Sequence, residues 1–199
     1  MPRQGLDRDA VVRAACVLVD ACSLPKLSMA ALAKQLDIAI PSLYAHVRNL
    51  EHLRELIANL ATNELADVLG PAVEGRHRGD ALRALAHGYR TYGHRYPGRY
   101  AASQLPPATT IEAQTAVARV AQPIYATLCS YGLAEPGLTD AVRCLRSALH
   151  GFITLEQVQG FTHRRSVNRS FEVMLEFLDH GFSSWPANTG TTADHPFTS

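Results

Sequence analysis

The sequence predicts an all-α protein, and three observations support this fold class. Apolar residues recur at the three- and four-residue spacing of a helix along almost the whole chain. The alternation of apolar and polar residues that is typical of strands is nearly absent. Gly- and Pro-containing breaks, such as Gly70-Pro71, separate the helical stretches from one another.

The composition is that of an ordinary globular protein with room for two units. The 199 residues are 47% hydrophobic and 19% charged, which is typical of a chain with a full core. The formal net charge is only +1, so the molecule as a whole has no strong field that would attract nucleic acid. Any DNA binding must therefore come from a locally basic surface.

The cysteine spacing and the hydropathy pattern argue against metal proteins and membrane proteins. The four cysteines form no CxxC pair and no zinc-type cluster, and no secretory leader precedes them: Cys16, Cys22, Cys129 and Cys144. We therefore expect reduced core thiols, with no metal and no cofactor. No apolar run approaches the ~18 residues that a membrane span needs, so we expect a cytoplasmic protein that does not bind membranes.

The first fifty residues predict three short helices. Asp7 is a suitable N-cap for the first helix and Ser28 for the second, because both residue types accept hydrogen bonds from free amides. Pro41 fits the first turn of a third helix, which we expect to reach Val47. The inward positions follow helical spacing: Val11, Ala14, Leu18 and Cys22; Met29, Leu32, Ala33 and Leu36; Leu43 and Val47.

A long fourth helix leads into the C-terminal half. Asn49 caps this helix, which is expected to end near Gly70-Pro71. Its inward residues are Leu53, Leu56, Ile57, Leu60, Ala61, Leu65 and Val68. Further helices are predicted over 80–96, over a short segment after Pro97-Gly98, over 111–131 with a kink at Pro123, over 138–160 and over 166–182. The predicted domains are residues 1–50, residues 51–183 and a flexible tail, 184–199.

Residues 28–47 have the layout of a helix-turn-helix. Two short helices are joined by a tight turn, and the second presents small and polar groups opposite the apolar pair Leu43 and Val47. Many helical bundles contain such a helix pair. Spacing alone therefore leaves both DNA binding and a purely structural role open.

The residues of this segment are more specific than their spacing. The run PSLYxHVxN at 41–49, followed by an acidic residue and a helical Leu-x-x-Leu, resembles the recognition helix of the TetR family and its entry into helix four. The resemblance is close over about residues 6–60, and elsewhere it rests on helical architecture. It implies a ligand-responsive transcriptional regulator, typically a repressor, that binds an inverted-repeat operator in double-stranded DNA as a homodimer.

The resemblance also implies which side chains face DNA. In the third helix and its end they are Ile40, Pro41, Ser42, Tyr44 and His46. The candidates for phosphate contacts among the basic residues are Arg3, Lys26, Lys34, Arg48 and Arg54, and Ser28 is a further candidate for DNA binding. A serine can bond a base edge or a phosphate, while a phenol or an imidazole can reach phosphate oxygens. Residues 1–50 carry six Lys and Arg against four Asp, 6 − 4 = +2, so we expect few phosphate contacts.

Four positions depart from the family's usual pattern. Asp37 stands where a turn glycine is usual, and Ala39 where a Ser or Thr cap is usual. Ala30 occupies a position that often holds a DNA-contacting Arg, and Leu50 one that often holds a phosphate-binding Lys. We therefore expect an unusual affinity or site preference.

Three tyrosines mark a candidate ligand site. Tyr89, Tyr92 and Tyr96 fall on one face of the predicted helix 80–96. A pocket with aromatic walls and a few polar tips suits a small molecule. The alternative is that these phenols reach past the core to water. His87 and His94 fall on a different face, where we expect them to be solvated.

The last two predicted helices carry apolar residues on more than one face, including Leu155 and Phe177. Such helices need cover from two sides, which predicts a four-helix interface between two copies of the chain. His150 lies in a segment that resembles the His-Gly segment of one TetR C-terminal subgroup. We interpret it as a core or interface histidine rather than a ligand-binding group.

Two other functions remain as alternatives. Nine histidines and several inward tyrosines leave room for an enzyme, but the GxSxG, HExxH, P-loop and Rossmann motifs are absent. A helical adaptor that keeps the helix-turn-helix shape without binding DNA is the second alternative, and the low charge permits it. We expect a regulator and not an enzyme.

Overall fold

The computed structural model describes residues 6–186, and all regular structure in this range is helical. The helices are α1 (Arg8–Cys22), α2 (Met29–Leu36), α3 (Ile40–Leu43), α4 (Leu50–Val73), α5 (Arg78–Arg95), α6 (Pro97–Ser103), α7 (Ile111–Cys129), α8 (Gly137–Gln157) and α9 (Val167–Ser183). The all-α prediction is confirmed. Arg3 and nearly all of the predicted tail lie outside the described residues.

Side-chain caps fix where the helices begin. Asp7, Ser28 and Asn49 each accept a hydrogen bond from the backbone N–H three residues ahead, at 2.6, 3.1 and 2.8 Å. Thr110 and Ser166 cap α7 and α9 in the same way. The three caps predicted from the sequence are confirmed, because a cap depends only on residues within one turn.

The helices enclose two separate apolar cores, which we call the N-terminal core and the C-terminal core. α1, α2 and α3 build the first, whereas α5, α7, α8 and α9 build the second. α4 belongs to both, since Leu53 and Ile57 lie in the N-terminal core and Leu65 and Leu69 in the C-terminal core. This helix therefore connects the two cores.

α6 is the second connection between the cores. Ala102 packs in the N-terminal core, while Tyr100 packs in the C-terminal core. The N-terminal end of α6 lies directly against α1, because a Cβ atom on Gly98 would fall 2.1 Å from the carbonyl oxygen of Val19. Only a residue without a side chain allows the two helix backbones to come this close.

Two helix ends differ from the predictions. α3 ends at Leu43 and not near Val47, because the chain tightens into a turn in which the N–H of Tyr44 bonds the carbonyl of Pro41 at 3.2 Å. α4 continues past Pro71 to Val73. A proline in the last turn forfeits one hydrogen bond, and the preceding glycine has no Cβ for its ring to strike.

Burial also corrects some inward assignments. Val68 of α4 is exposed, although the spacing placed it inward. The expectation of core thiols holds for Cys16, which is buried; burial raises its thiol pKa to about 12. Cys129 and Cys144 are exposed.

Within residues 6–186, no helix is both long enough and apolar enough to span a membrane.

The contact between α6 and α1 predicts the effect of one substitution. Gly98→Ala forces a methyl group against the backbone of Val19 and Asp20, so we expect the free energy of unfolding to fall by about 2 to 3 kcal/mol. Urea denaturation measures this change. Ala101→Leu adds more volume at an exposed position of the same helix, and we expect it to change stability by less than about 0.5 kcal/mol. Equal losses in both variants would contradict the close approach.

Candidate nucleic-acid interface and ligand cavity

The turn between α2 and α3 has the geometry of a helix-turn-helix. Asp37 ends α2 in the left-handed conformation, with φ 53° and ψ 48°. The following N–H, of Ile38, bonds the carbonyl of Ala33 at 3.1 Å, which closes the turn. Aspartate is one of the few residues that tolerate this conformation. The departure from glycine at this position therefore preserves the turn.

α3 and the turn after it separate buried from exposed side chains as predicted. Leu43 and Val47 are buried in the N-terminal core. The candidate DNA-facing side chains lie on the opposite side, where His46 is half-buried and the others are exposed: Ile40, Pro41, Ser42 and Tyr44. The exposed face thus offers one hydroxyl, one phenol and one imidazole beside two apolar groups.

Basic side chains surround this face. Lys26, Lys34 and Arg48 are exposed. Ser28 is half-buried and its hydroxyl oxygen accepts the capping bond of α2, while its proton stays free to donate. Arg48 lies 4.0 Å from Glu55, and its side chain is 76% exposed.

The structure adds two residues that the sequence did not single out. Arg8 and His52 line the same open depression as Tyr44, His46 and Arg48. Burial, followed by the charge of Arg48, lowers the pKa of His52, so its ring is neutral at pH 7. Its Nδ1 accepts the backbone N–H of Arg48 at 3.1 Å, which leaves an Nε2 proton to donate. These two residues come from α1 and α4, and only the fold brings them together.

A cavity of about 290 Å³ lies in the C-terminal half between α4, α5, α7 and α8. The loop after α6 closes one side with Leu105 and Pro107. Most of the lining is aliphatic, from residues such as Leu65, Val120 and Ile124. A concave, mainly apolar cavity of this size with a few polar groups is typical of small-molecule sites.

Tyr89 supplies the most deeply buried polar group of this cavity. Its side chain is only 3% exposed, yet its phenol bonds no other residue within 6–186. In the same range every fully buried side-chain oxygen or nitrogen has a partner. The Tyr89 hydroxyl is therefore reached from the cavity itself, where it can bond an occupant.

The other two candidate tyrosines do not line the cavity. The Tyr92 hydroxyl donates to Glu64 at 2.9 Å and contacts the carbonyl of Ala61 at 3.2 Å. Burial, and then the Glu64 charge, raises the pKa of Tyr92. The ring of Tyr96 packs against the guanidinium of Arg99 at 3.7 Å. Their shared helix face predicted that all three side chains point inward. The neighbouring helices, however, give each phenol a different environment.

Arg99 of α6 holds a polar cluster between the two cores, which we call the Arg99 cluster. Its Nε donates to Asp20 of α1 at 2.7 Å, and its Nη1 donates to Glu64 of α4 at 2.9 Å. Arg99 and Asp20 are each only 15% exposed. Burial is the largest single influence and acts to lower the pKa of the Arg99 guanidinium, but the hydrogen bond to Asp20 together with the charges of Asp20 and Glu64 raises this pKa overall. Sequence spacing gave no sign of this cluster.

The histidines expected in solvent are exposed, and each also contacts a carboxylate. His87 lies 2.9 Å from Glu172, and His94 lies 2.9 Å from Glu156. Glu156 also accepts a hydrogen bond from Arg90. Burial acts to raise the pKa of this carboxyl and the hydrogen bond from Arg90 acts to lower it, and overall the pKa is lowered. The expectation of solvated histidines is confirmed, since both side chains are exposed; α8 and α9 in addition bring one carboxylate to each ring.

Comparisons with known proteins identify the relatives of this chain. A family model described as "Tetracyclin repressor-like, C-terminal domain" matches residues 82–178. The uncharacterized HTH-type transcriptional regulator Rv0681 of Mycobacterium tuberculosis is 38% identical over 153 residues, which cover 76% of this chain and 70% of that protein. The uncharacterized HTH-type transcriptional regulator YobS of Bacillus subtilis is 32% identical over 178 residues, covering 87% and 91%. The chain belongs to the TetR family of transcriptional regulators.

The fold of this TetR-family regulator is also found in solved structures. A TetR variant from Acinetobacter baumannii AYE, in complex with minocycline, has a TM-score of 0.67 and 24% identity over 89% of this chain and 96% of that one. The sequence relatives are transcriptional regulators, a class distinct from enzymes. Among residues 6–186, no group of three or more His, Cys, Asp or Glu side chains is placed to hold a metal ion.

The exposed face of α3 predicts different roles for Tyr44 and Ser42. Tyr44 is 54% exposed, so Tyr44→Ala leaves the core intact and removes a phenol that we expect to contact a phosphate. We expect roughly tenfold weaker binding to every DNA sequence. Ser42→Ala should change base preference at one position more than overall affinity. Fluorescence anisotropy on specific and random duplexes measures both effects. Equal losses on both duplexes for both variants would contradict these roles.

Proposed function

We propose that this TetR-family regulator is a homodimeric repressor that binds an inverted-repeat operator and leaves it when a small molecule fills the cavity. The observation that carries this proposal is the position of α6. Its C-terminal end borders the cavity, while its N-terminal end is bonded to α1 of the DNA-binding unit. Ligand binding in the cavity can therefore displace the recognition element through one short helix.

The path consists of named contacts. Ser103 and Gln104, at the end of α6, line the cavity. Four residues earlier in the same helix, the backbone N–H and the guanidinium of Arg99 both bond Asp20 of α1. A ligand that displaces the end of α6 would therefore move α1 with it. α4 belongs to both cores and offers a second path.

The energetics of release follow from linkage. A ligand lowers operator affinity only if it binds better to an arrangement in which the two α3 helices no longer match successive major grooves. A coupling of about 1 to 3 kcal/mol changes operator affinity by roughly 5- to 150-fold. By reciprocity, the operator weakens ligand binding by the same factor. The solved complex of a TetR variant with minocycline supports ligand binding in this fold.

The domain division is the one expected from the sequence, although residues of α4 and α6 also contribute to the N-terminal core. We assign DNA binding to residues 1–50 and ligand binding and dimerisation to residues 51–183. A protein that binds operator DNA works where the chromosome is, which in a bacterium is the cytoplasm. In this assignment the DNA contacts are those on and around α3, and Tyr89 is the cavity residue among the three candidate tyrosines.

An apolar surface on α8 and α9 supports a homodimer. Phe177 of α9 is 75% exposed and Leu155 of α8 is also exposed. Gly151 and Gly181 have open space where a side chain would be, so a partner helix can approach these two helices closely. His150 is exposed on α8 and bonds the Tyr100 hydroxyl through Nδ1 at 2.9 Å. Two copies related by a two-fold axis would cover this surface with a four-helix arrangement.

Operator selection from a random duplex library tests the proposed function. Two-fold symmetry predicts that the selected sites are inverted repeats, with half-sites about one helical turn or a small multiple apart. We expect a single half-site to bind at least roughly 100-fold more weakly than the repeat, because it uses only one recognition element. A half-site bound as tightly as the repeat would contradict the proposal.

Dimerisation is tested by a charge on the proposed interface. Phe177→Glu leaves the core intact because the side chain is exposed, and we expect a monomer in sedimentation that loses operator binding at concentrations where the parent binds. Ile111→Glu is the matched control, since Ile111 is 79% exposed on α7, away from α8 and α9. We expect the control to remain dimeric. A dimeric Phe177→Glu variant with normal operator affinity would place the interface elsewhere.

A further inference from the structure

The cavity is long, and its far wall is apolar. Five residues of α4 from Glu55 to Leu65 border it, a stretch that corresponds to roughly 15 Å along a helix. The facing wall comes from α7 and consists mostly of small and branched aliphatic residues, such as Ala116, Val120 and Ile124, with the exposed Tyr125 also in the lining. An extended, mainly apolar molecule fits this shape.

Two charged side chains border the cavity, and they differ in their partners. Glu55 has Arg48 at 4.0 Å. Arg146 of α8 has no carboxylate within 4.0 Å in the range 6–186, although Arg143, one turn earlier, pairs with Asp140. Arg146 lines both the cavity and the open groove outside it. The uncompensated charge at the mouth of the cavity is therefore positive.

The free phenol of Tyr89 lies in the same region as Arg146. The rings of Tyr89 and Tyr100 meet edge to face, with centroids 5.9 Å apart. The Tyr100 hydroxyl is bonded to His150, which follows Arg146 by one turn of α8. Tyr89 and Arg146 both line the cavity, and the Tyr89 hydroxyl, unlike that of Tyr100, has no partner among residues 6–186.

We propose that the cavity binds an elongated, mainly apolar molecule with a single anionic group, such as a carboxylate, which the Arg146 guanidinium and the Tyr89 hydroxyl hold together. This inference rests on the proposed function, because it specifies the ligand class of the same cavity. Hydrogen bonds to an ionised acceptor are stronger than neutral ones, especially next to an apolar wall. An apolar body without the charge fills the cavity but leaves both donors without an acceptor.

Calorimetric titration of the full chain with decanoate, decanol and decylamine tests the ligand class. The three probes share a ten-carbon chain and differ in the head group, which is anionic, neutral or cationic. We expect decanoate to bind at least about tenfold more tightly than decanol, and decylamine to bind most weakly. Decanol binding as tightly as decanoate, or no binding of any probe, would overturn the inference.

Variants assign the effect to the two donors. Arg146→Gln and Tyr89→Phe should each weaken decanoate roughly tenfold and leave decanol unchanged. Arg143→Gln is the matched control on the same helix, since Arg143 borders the outer groove but not the cavity, and we expect no change. Thermal melts of the three variants show whether each is folded. Arg146 and Arg143 are exposed, so we expect their substitutions to leave the fold intact. Equal losses in Arg146→Gln and Arg143→Gln would overturn the assignment to Arg146.

Operator binding in the presence of each probe separates this inference from the proposed function. If decanoate binds as expected but operator affinity stays within about twofold, the ligand class is supported and ligand-induced release is refuted. If decanol or decylamine binds better than decanoate and releases the operator, the anionic ligand class is overturned while the regulatory function stands.

Discussion

The relative position of the two cores depends on the burial of one guanidinium group. A cation that is largely removed from water needs charged and hydrogen-bonded partners, or its burial costs several kcal/mol. The partners of Arg99 come from two other helices, Asp20 from α1 and Glu64 from α4. A loss of either partner would leave a charge uncompensated, so α1, α4 and α6 are held in one arrangement. Gly98 permits this arrangement by bringing α6 against the backbone of α1.

The Arg99 cluster also determines which polar groups remain for the cavity. Glu64 uses its carboxylate for Arg99 and for the Tyr92 hydroxyl, so that phenol is not available to a ligand. Tyr89, one turn earlier in α5, has no such partner among residues 6–186 and is left to the cavity. α6 is only seven residues long, roughly 10 Å, so the cavity wall and the contact with α1 are close together. A small displacement of one end of a rigid helix also displaces the other end.

The sequence predicted the features that depend on local chemistry. The caps at Asp7, Ser28 and Asn49 involve one helical turn each, and Leu43 and Val47 are four residues apart, so these predictions were confirmed. The tyrosine stripe of α5 shows the limit of this reasoning. Periodicity indicates which side chains point inward, but it does not indicate which neighbour each phenol meets. Asp20 and Arg99 are 79 positions apart in the chain, and only the packing of α6 against α1 brings them together.

The coupling of cavity to operator through the Arg99 cluster is tested most directly by a double-mutant cycle on operator affinity. Ala121→Phe places a ring in the cavity as a permanent occupant, because Ala121 is part of its lining, and Asp20→Asn weakens the link between α6 and α1. The cavity substitution alone should weaken operator binding at least roughly fivefold, and in the Asp20→Asn background most of that effect should disappear. Additive effects of the two substitutions, in variants that melt as single folded species, would contradict transmission through this cluster.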